Sequence, residues 1–216
     1  MKVLLLRHGK TAGNIEKRYV GTTDELLSEE GITDLVCAAE YQNVEAVYVS
    51  PMLRCVQTAD ILFPGMEKII VDDFRECDFG LFEYKNYMEL KDDSRYQKWL
   101  DSNGILPFPE GESREEFQKR CVRAFEGVIQ DAKNKGVHTI ACVVHGGTIM
   151  SILDVFSDDG GSYYDFQVQN GDGFLAEITS LNTKFEHMID FKMSICYSIK
   201  HGNYTAYKEQ REKFDG

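Results

Sequence analysis

The stretch VLLLRHGKTAGN, residues 3–14, decides the fold that we predict for this chain. Its apolar run is typical of a strand buried on both faces, as in a parallel sheet covered by helices. The run ends on Arg7 and His8, which are followed by Gly9. Because burying an unpaired arginine is costly, this pair either caps the strand in solvent or forms part of an anion-binding site.

The composition indicates one acidic globular domain. The 216 residues are 43% hydrophobic, which is enough for a single sizeable core. Lys and Arg total 24 against 36 for Asp and Glu, so the net charge is −12. Nucleic acids and anionic membranes require a basic surface, and we therefore expect neither as a partner. Any anion site must be a local cluster of cations in a negative molecule.

The cysteines and the apolar runs predict a cytoplasmic location. The six cysteines are scattered and form no CxxC pair, which is typical of reduced, buried thiols. The first apolar run is too short for the core of a signal peptide, and no stretch approaches the length of a membrane-spanning helix. The sequence leaves the oligomeric state open, and a homodimer is one possible state.

Predicted strands and helices alternate along the chain, which favours an α/β fold. The predicted strands lie at 3–6, 44–50, 68–73 and 138–144, and the main predicted helices at 28–42, 51–63, 113–135 and 147–156. This order is typical of a three-layer α/β/α sandwich with a mostly parallel central sheet. Segments 173–181 and 185–193 are predicted to form a hairpin, which gives the sheet an antiparallel edge.

Residues 1–216 are predicted to form a single domain, because no repeat or linker divides the chain. Within it, residues 84–116 form an irregular excursion with short helices, which we interpret as a cap rather than a second domain. Local signals also predict where helices start, as Ser28 does at the N-cap of the helix at 28–42. Pro51 occupies a favoured first position, and Ser113 with Glu116 makes a capping box.

Cations and imidazoles follow the ends of the predicted strands. Arg7 and His8 follow the first strand, and Arg54 lies one turn beyond the second. His145 follows the last parallel strand, and the third strand leads into a polar segment that contains Glu76. Ligands of open α/β sheets bind beyond the carboxyl ends of the strands. We therefore expect these five side chains to meet at one ligand crevice.

This cluster has the chemistry of a phosphate site. Two guanidinium groups suit phosphate oxygens, and backbone N–H groups beside glycines can approach an anion closely. Neighbouring cations lower the pKa of an imidazole, so His8 is expected to be neutral and nucleophilic. Partial burial raises the pKa of a carboxyl group, and Glu76 can then protonate a leaving oxygen.

Six blocks of sequence resemble, in order, the motifs of the histidine phosphatase superfamily, also called the phosphoglycerate mutase-like family. They are LRHGKTAGN (6–14), GTTDELLSEEG (21–31), SPMLRCVQTA (50–59), RECDFGLFE (75–83), PEGES (109–113) and VVHGG (143–147). The resemblance extends from about residue 3 to the predicted strand near residue 178. It implies a phosphoglycerate mutase-like α/β/α fold.

Carried over to the matching positions, the resemblance implies a phosphomonoesterase that works through a phosphohistidine. His8 would attack phosphorus, while Arg7, Arg54 and His145 would hold the phosphoryl oxygens. Glu76 would protonate the leaving group and then activate the hydrolytic water.

Other motif positions are implied to bind the substrate, which would be a small phosphorylated metabolite. These positions are Asn14, Thr11, Gly21 and Gly146. No metal and no cofactor is implied, since arginine supplies the positive charge.

The sequence departs from the phosphoglycerate mutase branch at three positions. That branch has Tyr three residues after the acid, Asn after the second His-Gly and Lys eleven residues after the acid, where this chain has Phe79, Gly147 and Tyr87. Loss of these contacts favours hydrolysis, as in α-ribazole phosphatases and broad-specificity phosphatases. A mutase-type phosphotransferase and a non-catalytic phospholigand-binding module stay open as alternatives. Glu83 stays open as the acid in place of Glu76, and the substrate is not identified.

Overall fold

A mixed sheet of six strands lies at the centre of the part of the chain that the structure describes. The computed structural model describes residues 1–36, 43–158, 160–185 and 188–198, with 179–185 and 188–198 described by their backbone alone. The strands are β1 (Lys2–Arg7), β2 (Ala46–Val49), β3 (Lys68–Ile70), β4 (Thr139–Val144), β5 (Gly173–Phe185) and β6 (Met188–Ser198). Their order in the sheet is β3-β2-β4-β1-β5-β6.

The sheet is parallel from β3 to β1 and antiparallel beyond β1. The pairs β3–β2, β2–β4 and β4–β1 are parallel, whereas β5 is antiparallel to both β1 and β6. This pairing confirms the predicted mostly parallel sheet with an antiparallel edge. Residues 186–187 of the predicted hairpin and the tail at 199–216 lie outside the described residues.

Helices cover both faces of the sheet. They are α1 (Ala12–Ile15), α2 (Glu29–Val36), α3 (Leu53–Leu62), α4 (Tyr87–Leu90), α5 (Ser94–Asp101), α6 (Arg114–Asn134) and α7 (Gly146–Phe156). The helix predicted at 28–42 corresponds to α2, and residues 37–42 fall outside the described part of the chain. In the described residues, no helix combines the length and apolar character needed to cross a membrane.

Of the helix starts predicted at Ser113 and Pro51, the first is confirmed and the second is wrong. Ser113 Oγ accepts a hydrogen bond from Glu116 N, and the Glu116 carboxylate accepts one from Ser113 N, which completes the capping box of α6. Helix α3 begins at Leu53 rather than at Pro51. The reason is a distant contact, because the carboxylate of Asp24 accepts a hydrogen bond of 2.7 Å from Leu53 N.

Strand β1 is buried on both faces, as its apolar run predicts. Val3 and Leu5 belong to a core cluster shared with α6 and α7, whereas Leu4 and Leu6 belong to a second cluster shared with α3. Successive side chains of a strand point to opposite faces, so the four apolar residues contribute to both layers. The strand is thereby fixed in register, and its carboxyl end places the residues that follow it.

Residues 84–116, predicted to form a cap, contain α4 and α5 and contribute to an apolar cluster of their own. The buried members of this cap cluster are Cys77, Phe82, Leu90, Tyr96, Phe108, Phe117 and Cys121. Because Phe117 and Cys121 belong to α6, the excursion packs against the sandwich through that helix. The single-domain organisation over residues 1–216 stays a prediction.

Candidate active site

The carboxyl ends of β1 and β4 bring two histidines side by side. Arg7 is paired in register with Val144, and His8 N donates a hydrogen bond of 3.0 Å to the Val144 carbonyl oxygen. His145 follows directly after Val144, and its ring centroid lies 5.2 Å from that of His8. The structure therefore brings His8 and His145 together, as the strand ends predict.

The hydrogen bond of the His8 ring fixes its tautomer. Nδ1 of His8 lies 2.7 Å from the carbonyl oxygen of Gly9. A carbonyl oxygen only accepts, so Nδ1 carries the proton and Nε2 of the neutral ring keeps its lone pair. His8 is 3% exposed. Burial, followed by the charges of Arg54 and Arg7, holds its pKa well below 6.5.

His145 is a second neutral imidazole at the same point. It is completely buried, and burial lowers its pKa well below 6.5, with the charge of Arg54 as the next cause. Its Nε2 lies 2.8 Å from Ser50 Oγ, which follows β2 in the sheet. Ser50 thus orients His145 from the neighbouring strand end.

Arg54 is held by backbone carbonyls rather than by a carboxylate. It is completely buried, and it donates to the carbonyl oxygens of Thr23 and Gly21 at 2.8 and 2.9 Å. Arg7 donates to the carbonyl oxygen of Val168 at 2.6 Å. The Nε atoms of both arginines are buried donors without an acceptor among the described residues. These contacts fix the two cations but leave donors for an anion.

Glu76 lies close enough to Arg7 for their charges to interact. Its Oε1 accepts a hydrogen bond of 2.9 Å from Cys77 N. Burial raises the pKa of the carboxyl group, and the Cys77 N–H and the charges of Arg54 and Arg7 only partly oppose that rise. A Cβ atom on Gly147 would lie 2.7 Å from Oε1, so the glycine makes room for the carboxyl group.

The amide of Asn14 lies in the cleft, whereas the Thr11 hydroxyl caps a helix. Asn14 Oδ1 accepts from Thr11 N and from Asn170 Nδ2, at 3.2 and 3.0 Å, so Nδ2 of Asn14 remains to donate to a ligand. The Thr11 hydroxyl is completely buried and accepts from Asn14 N as the cap of α1. Asn170 was missed by the sequence analysis, because nothing local distinguishes it within a polar loop.

The two predicted binding glycines pack against the arginines. Gly21 uses its carbonyl for Arg54, and a Cβ atom there would lie 2.2 Å from the Cys77 carbonyl oxygen. Gly146 begins α7, and a Cβ atom there would lie 3.4 Å from Arg7 Nε. Both positions therefore allow close approach around the cations.

Glu83, the alternative acid, makes different contacts from those of Glu76. Its Oε1 accepts hydrogen bonds from Gly21 N and Thr23 N at 2.9 and 3.0 Å. It holds the loop whose carbonyls bind Arg54, and it does not line the cleft that contains His8. Of the two carboxyl groups, Glu76 is the one that lines this cleft.

A cleft of about 520 Å³ opens over His8 and has largely aromatic walls. Besides Arg7, Glu76 and Asn14, it is lined by Tyr19, Phe79, Trp99, Phe108, Arg114, Phe117, Tyr163 and Tyr164. A second cleft, of about 600 Å³, is also lined by Glu76, together with Glu112 and Arg120. The sequence analysis did not identify these walls, because they come from segments far apart in the chain. In the described residues, no group of three or more His, Cys, Asp or Glu side chains is placed to hold a metal ion.

This combination of two neutral imidazoles, two arginines and an acid at strand ends has a family counterpart. The family model described as "Histidine phosphatase superfamily (branch 1)" matches residues 3–189. The chain belongs to the histidine phosphatase superfamily. Membership confirms the resemblance drawn from the six sequence blocks, and it agrees with the α/β/α fold.

Several curated relatives of this superfamily member are named as phosphatases. A metal-independent phosphoserine phosphatase of Arabidopsis thaliana is 30% identical over 160 residues, which are 70% of this chain and 66% of that protein. A broad-specificity phosphatase of Saccharomyces cerevisiae is 27% identical over 164 residues, which are 71% of this chain and 69% of that protein. The chain spans only 45% of the length of its mycobacterial relatives.

A solved structure shows the same fold. The crystal structure of an α-ribazole phosphatase from Shigella flexneri superposes with a TM-score of 0.69 and 23% identity, and the match covers 86% of this chain and 93% of that one. The relatives and the family together support a phosphatase of the histidine phosphatase type.

Proposed function

We propose that this protein is a metal-independent phosphomonoesterase that hydrolyses a small phosphorylated metabolite through a phosphohistidine on His8. The observation that carries the proposal is the hydrogen bond from His8 Nδ1 to the Gly9 carbonyl oxygen, which leaves Nε2 as a nucleophile. Two arginines beside it supply positive charge for a phosphoryl group. Superfamily membership and the phosphatase names of the relatives support the same chemistry.

In the first step, Nε2 of His8 attacks the phosphorus atom of the bound ester. The Nε2–phosphorus bond forms, the bond to the ester oxygen breaks, and the leaving oxygen takes the proton of the Glu76 carboxyl group. Arg7 and Arg54 stabilise the charge on the transferred oxygens, which is the main demand of phosphoryl transfer. His145 lies beside the His8 ring as a further hydrogen-bonding group.

In the second step, water replaces the leaving group. The Glu76 carboxylate takes a proton from this water while its oxygen attacks phosphorus. The bond between phosphorus and Nε2 breaks, and the electron pair returns to the imidazole. Inorganic phosphate leaves, and Glu76 is protonated again for the next cycle.

The test is phosphate release from a panel of esters in EDTA, with wild type, His8→Ala and His138→Ala. The panel includes p-nitrophenyl phosphate, sugar phosphates, phosphoserine, phosphoglycerates, nucleotides and α-ribazole phosphate. We expect EDTA-resistant release that His8→Ala abolishes. His138 is an exposed histidine at the other end of β4, so His138→Ala should retain activity.

A rapid quench of the wild type identifies the intermediate. A phosphohistidine is labile in acid and stable in base, so the trapped label should show that behaviour. Release by His8→Ala at the wild-type rate, or a label that survives acid but not base, would contradict the proposal.

The described residues at the mutase positions do not favour the mutase alternative. Phe79, which replaces the mutase tyrosine, packs edge-on against Tyr19 and Phe108. Tyr87, at the position of the mutase lysine, is 56% exposed. We expect no interconversion of 3- and 2-phosphoglycerate in the presence of 2,3-bisphosphoglycerate, and sustained interconversion would restore this alternative.

A further inference from the structure

Arg114 is one of the cations that line the cleft containing His8. It is the first residue of α6, and its side chain is half-buried. Among the described residues, its guanidinium group has no hydrogen bond and no ion pair. Arg18, which lines the same cleft, is instead paired with the carboxylates of Glu16 and Glu89 at 2.6 and 2.7 Å.

The guanidinium group of Arg114 is held in place by stacking. Its Cζ lies 3.8 Å from the centroid of the Tyr163 ring and 5.3 Å from that of Tyr164. Tyr163 is buried, so the ring is a fixed platform. A guanidinium stacked on a ring keeps its in-plane N–H groups available and loses less freedom when it binds a carboxylate or phosphate.

Uncharged side chains lie beside Arg114 in the wall of the cleft. Phe117, Met150 and Tyr163 line the cleft together with Arg114, and none of them carries a charge that neutralises it. The whole molecule has a net charge of −12, so an anionic ligand finds attraction only where unpaired cations are exposed to it. Arg7 and Arg54 serve the phosphoryl group. Lys17 also lines the cleft but is an exposed side chain, whereas Arg114 is stacked on a buried ring and is therefore better placed to bind a different group of the same ligand.

We propose that Arg114 binds a second anionic group of the substrate, remote from the ester that His8 attacks. The substrate class is then a small phosphate monoester that also carries a carboxylate or a second phosphate. This inference rests on the proposed function for the ester itself. The aromatic walls of the cleft contact the part of the substrate between the two anionic groups.

The experiment compares esters that differ in the second charge, using wild type, Arg114→Gln, Arg114→Lys and Arg123→Gln. The carboxylate pairs are 3-phosphoglycerate with glycerol 3-phosphate, and 4-carboxyphenyl phosphate with 4-carbamoylphenyl phosphate. Fructose 1,6-bisphosphate with fructose 6-phosphate tests a second phosphate. Arg123 is 73% exposed on the same helix and does not line the cleft. Arg123→Gln therefore serves as the control that removes the same charge outside the cleft.

We expect wild type to prefer the anionic member of at least one pair. Arg114→Gln should lower kcat/KM for that member by roughly ten- to a hundredfold, the effect of losing a charged hydrogen bond. The loss should appear mainly in KM, because the contact is the same in the ground state and the transition state. Arg114→Lys should restore part of the preference, since it keeps the charge but loses the planar fork, and Arg123→Gln should keep all of it.

Two results would overturn the inference. One is an equal loss for both members of every pair in Arg114→Gln, which would indicate a general structural role. The other is an unchanged preference in that variant. Calorimetric binding of the same pairs to His8→Ala and His8→Ala/Arg114→Gln separates this inference from the proposed function. If wild type hydrolyses nothing, a charge preference in binding that depends on Arg114 still supports the second site, and its absence refutes it.

Discussion

At the scale of single residues, burial shifts the pKa values of the nucleophile and the acid in opposite directions. The pKa of His8 is lowered first by burial of the imidazole and then by the charges of Arg54 and Arg7. The pKa of Glu76 is raised by burial despite those same arginines. Both shifts favour the neutral forms, which are a nucleophilic imidazole and a proton-donating carboxyl group. Burial in the same site therefore favours the protonation states that His8 and Glu76 need for attack on the ester.

Replacing the acid should make the rate depend on the leaving group. In Glu76→Gln, kcat for alkyl phosphates should fall by about 10²- to 10⁴-fold, because an amide has no carboxyl proton to transfer. The loss should be much smaller for p-nitrophenyl phosphate, whose leaving oxygen needs little protonation. Wild-type activity on alkyl esters should decline as the pH rises through the raised pKa of Glu76, and the variant should lack that decline.

Glu83→Gln is the comparison for this prediction. Glu83 holds the backbone at Gly21 and Thr23. Any loss of activity in Glu83→Gln should therefore be the same for alkyl and p-nitrophenyl esters. If Glu83→Gln, and not Glu76→Gln, distinguished alkyl from p-nitrophenyl esters, the assignment of the acid would be wrong.

The sequence predicts the residues that end strands better than those that act through distant contacts. Arg7, His8 and His145 follow apolar runs, and a buried strand needs only such a run to be recognised. Asn170 and Asn14, which are hydrogen-bonded, lie 156 positions apart in the chain, so no local sequence pattern predicts their contact. Thr11 carries a motif match, yet its hydroxyl is used to cap α1.

At the scale of secondary-structure elements, Arg120 connects α6 to the segment that carries the acid. It donates to the carbonyl oxygens of Asp73, Arg75 and Glu76, at 2.8, 2.9 and 3.4 Å. It also pairs with the carboxylate of Glu112 at 2.7 Å, and both side chains are largely buried. Helix α6 thus holds the backbone of Glu76 from behind, while α7 contacts its carboxyl group through Gly147.

Arg120→Lys should lower kcat through the position of Glu76. A lysine keeps the charge but cannot serve three carbonyl oxygens and a carboxylate at once. We expect kcat for alkyl phosphates to fall roughly tenfold or more with little change in KM, and stability to fall by about 1–3 kcal/mol. Steady-state kinetics and urea unfolding measure the two effects.

Arg123→Lys supplies the matched control for this helix. Arg123 lies one turn from Arg120 and is exposed, so the same replacement should leave kcat and stability near the wild-type values. The positioning role would be refuted if Arg120→Lys lowered stability but left kcat unchanged, or if it raised KM alone.

Local sequence signals predict the start of one helix and fail for another. The start of α6 is predicted because Ser113 and Glu116 lie three residues apart and cap the same helix. The start of α3 depends on Asp24, which is 29 positions away from its partner Leu53. Helix ends fixed by neighbours in sequence are therefore predictable, whereas ends fixed by tertiary contacts are not.

At the scale of the whole molecule, the two buried histidines make the stability depend on pH. Below pH 6.5 the unfolded chain binds protons on His8 and His145 that the native protein does not bind, because both native pKa values are lowered. The free energy of unfolding should therefore fall with falling pH, by up to about 2.7 kcal/mol per pH unit for the pair. Because the native pKa of Glu76 is raised, its contribution to the slope has the opposite sign, and it offsets at most about 1.4 kcal/mol per pH unit of the fall in the free energy of unfolding.

Urea unfolding at several pH values between 5.5 and 7 measures this slope. In His145→Gln one of the two histidines is lost, and the contribution of the pair should halve. A slope that is the same in the variant and in wild type would show that other groups cause the pH dependence.

The carbonyl group that orients His8 belongs to the main chain at Gly9, and this affects how the site tolerates mutation. Where a carboxylate orients a histidine, one codon change deletes the orienting group. Here no substitution removes the carbonyl oxygen, and a side chain at position 9 acts only by crowding, since a Cβ atom would lie 2.7 Å from Leu35 Cδ1. In a saturation scan, damage at position 9 should therefore be suppressible from position 35, by a residue smaller than leucine. Such a suppressor would restore space, because the chemical function at position 9 was never lost.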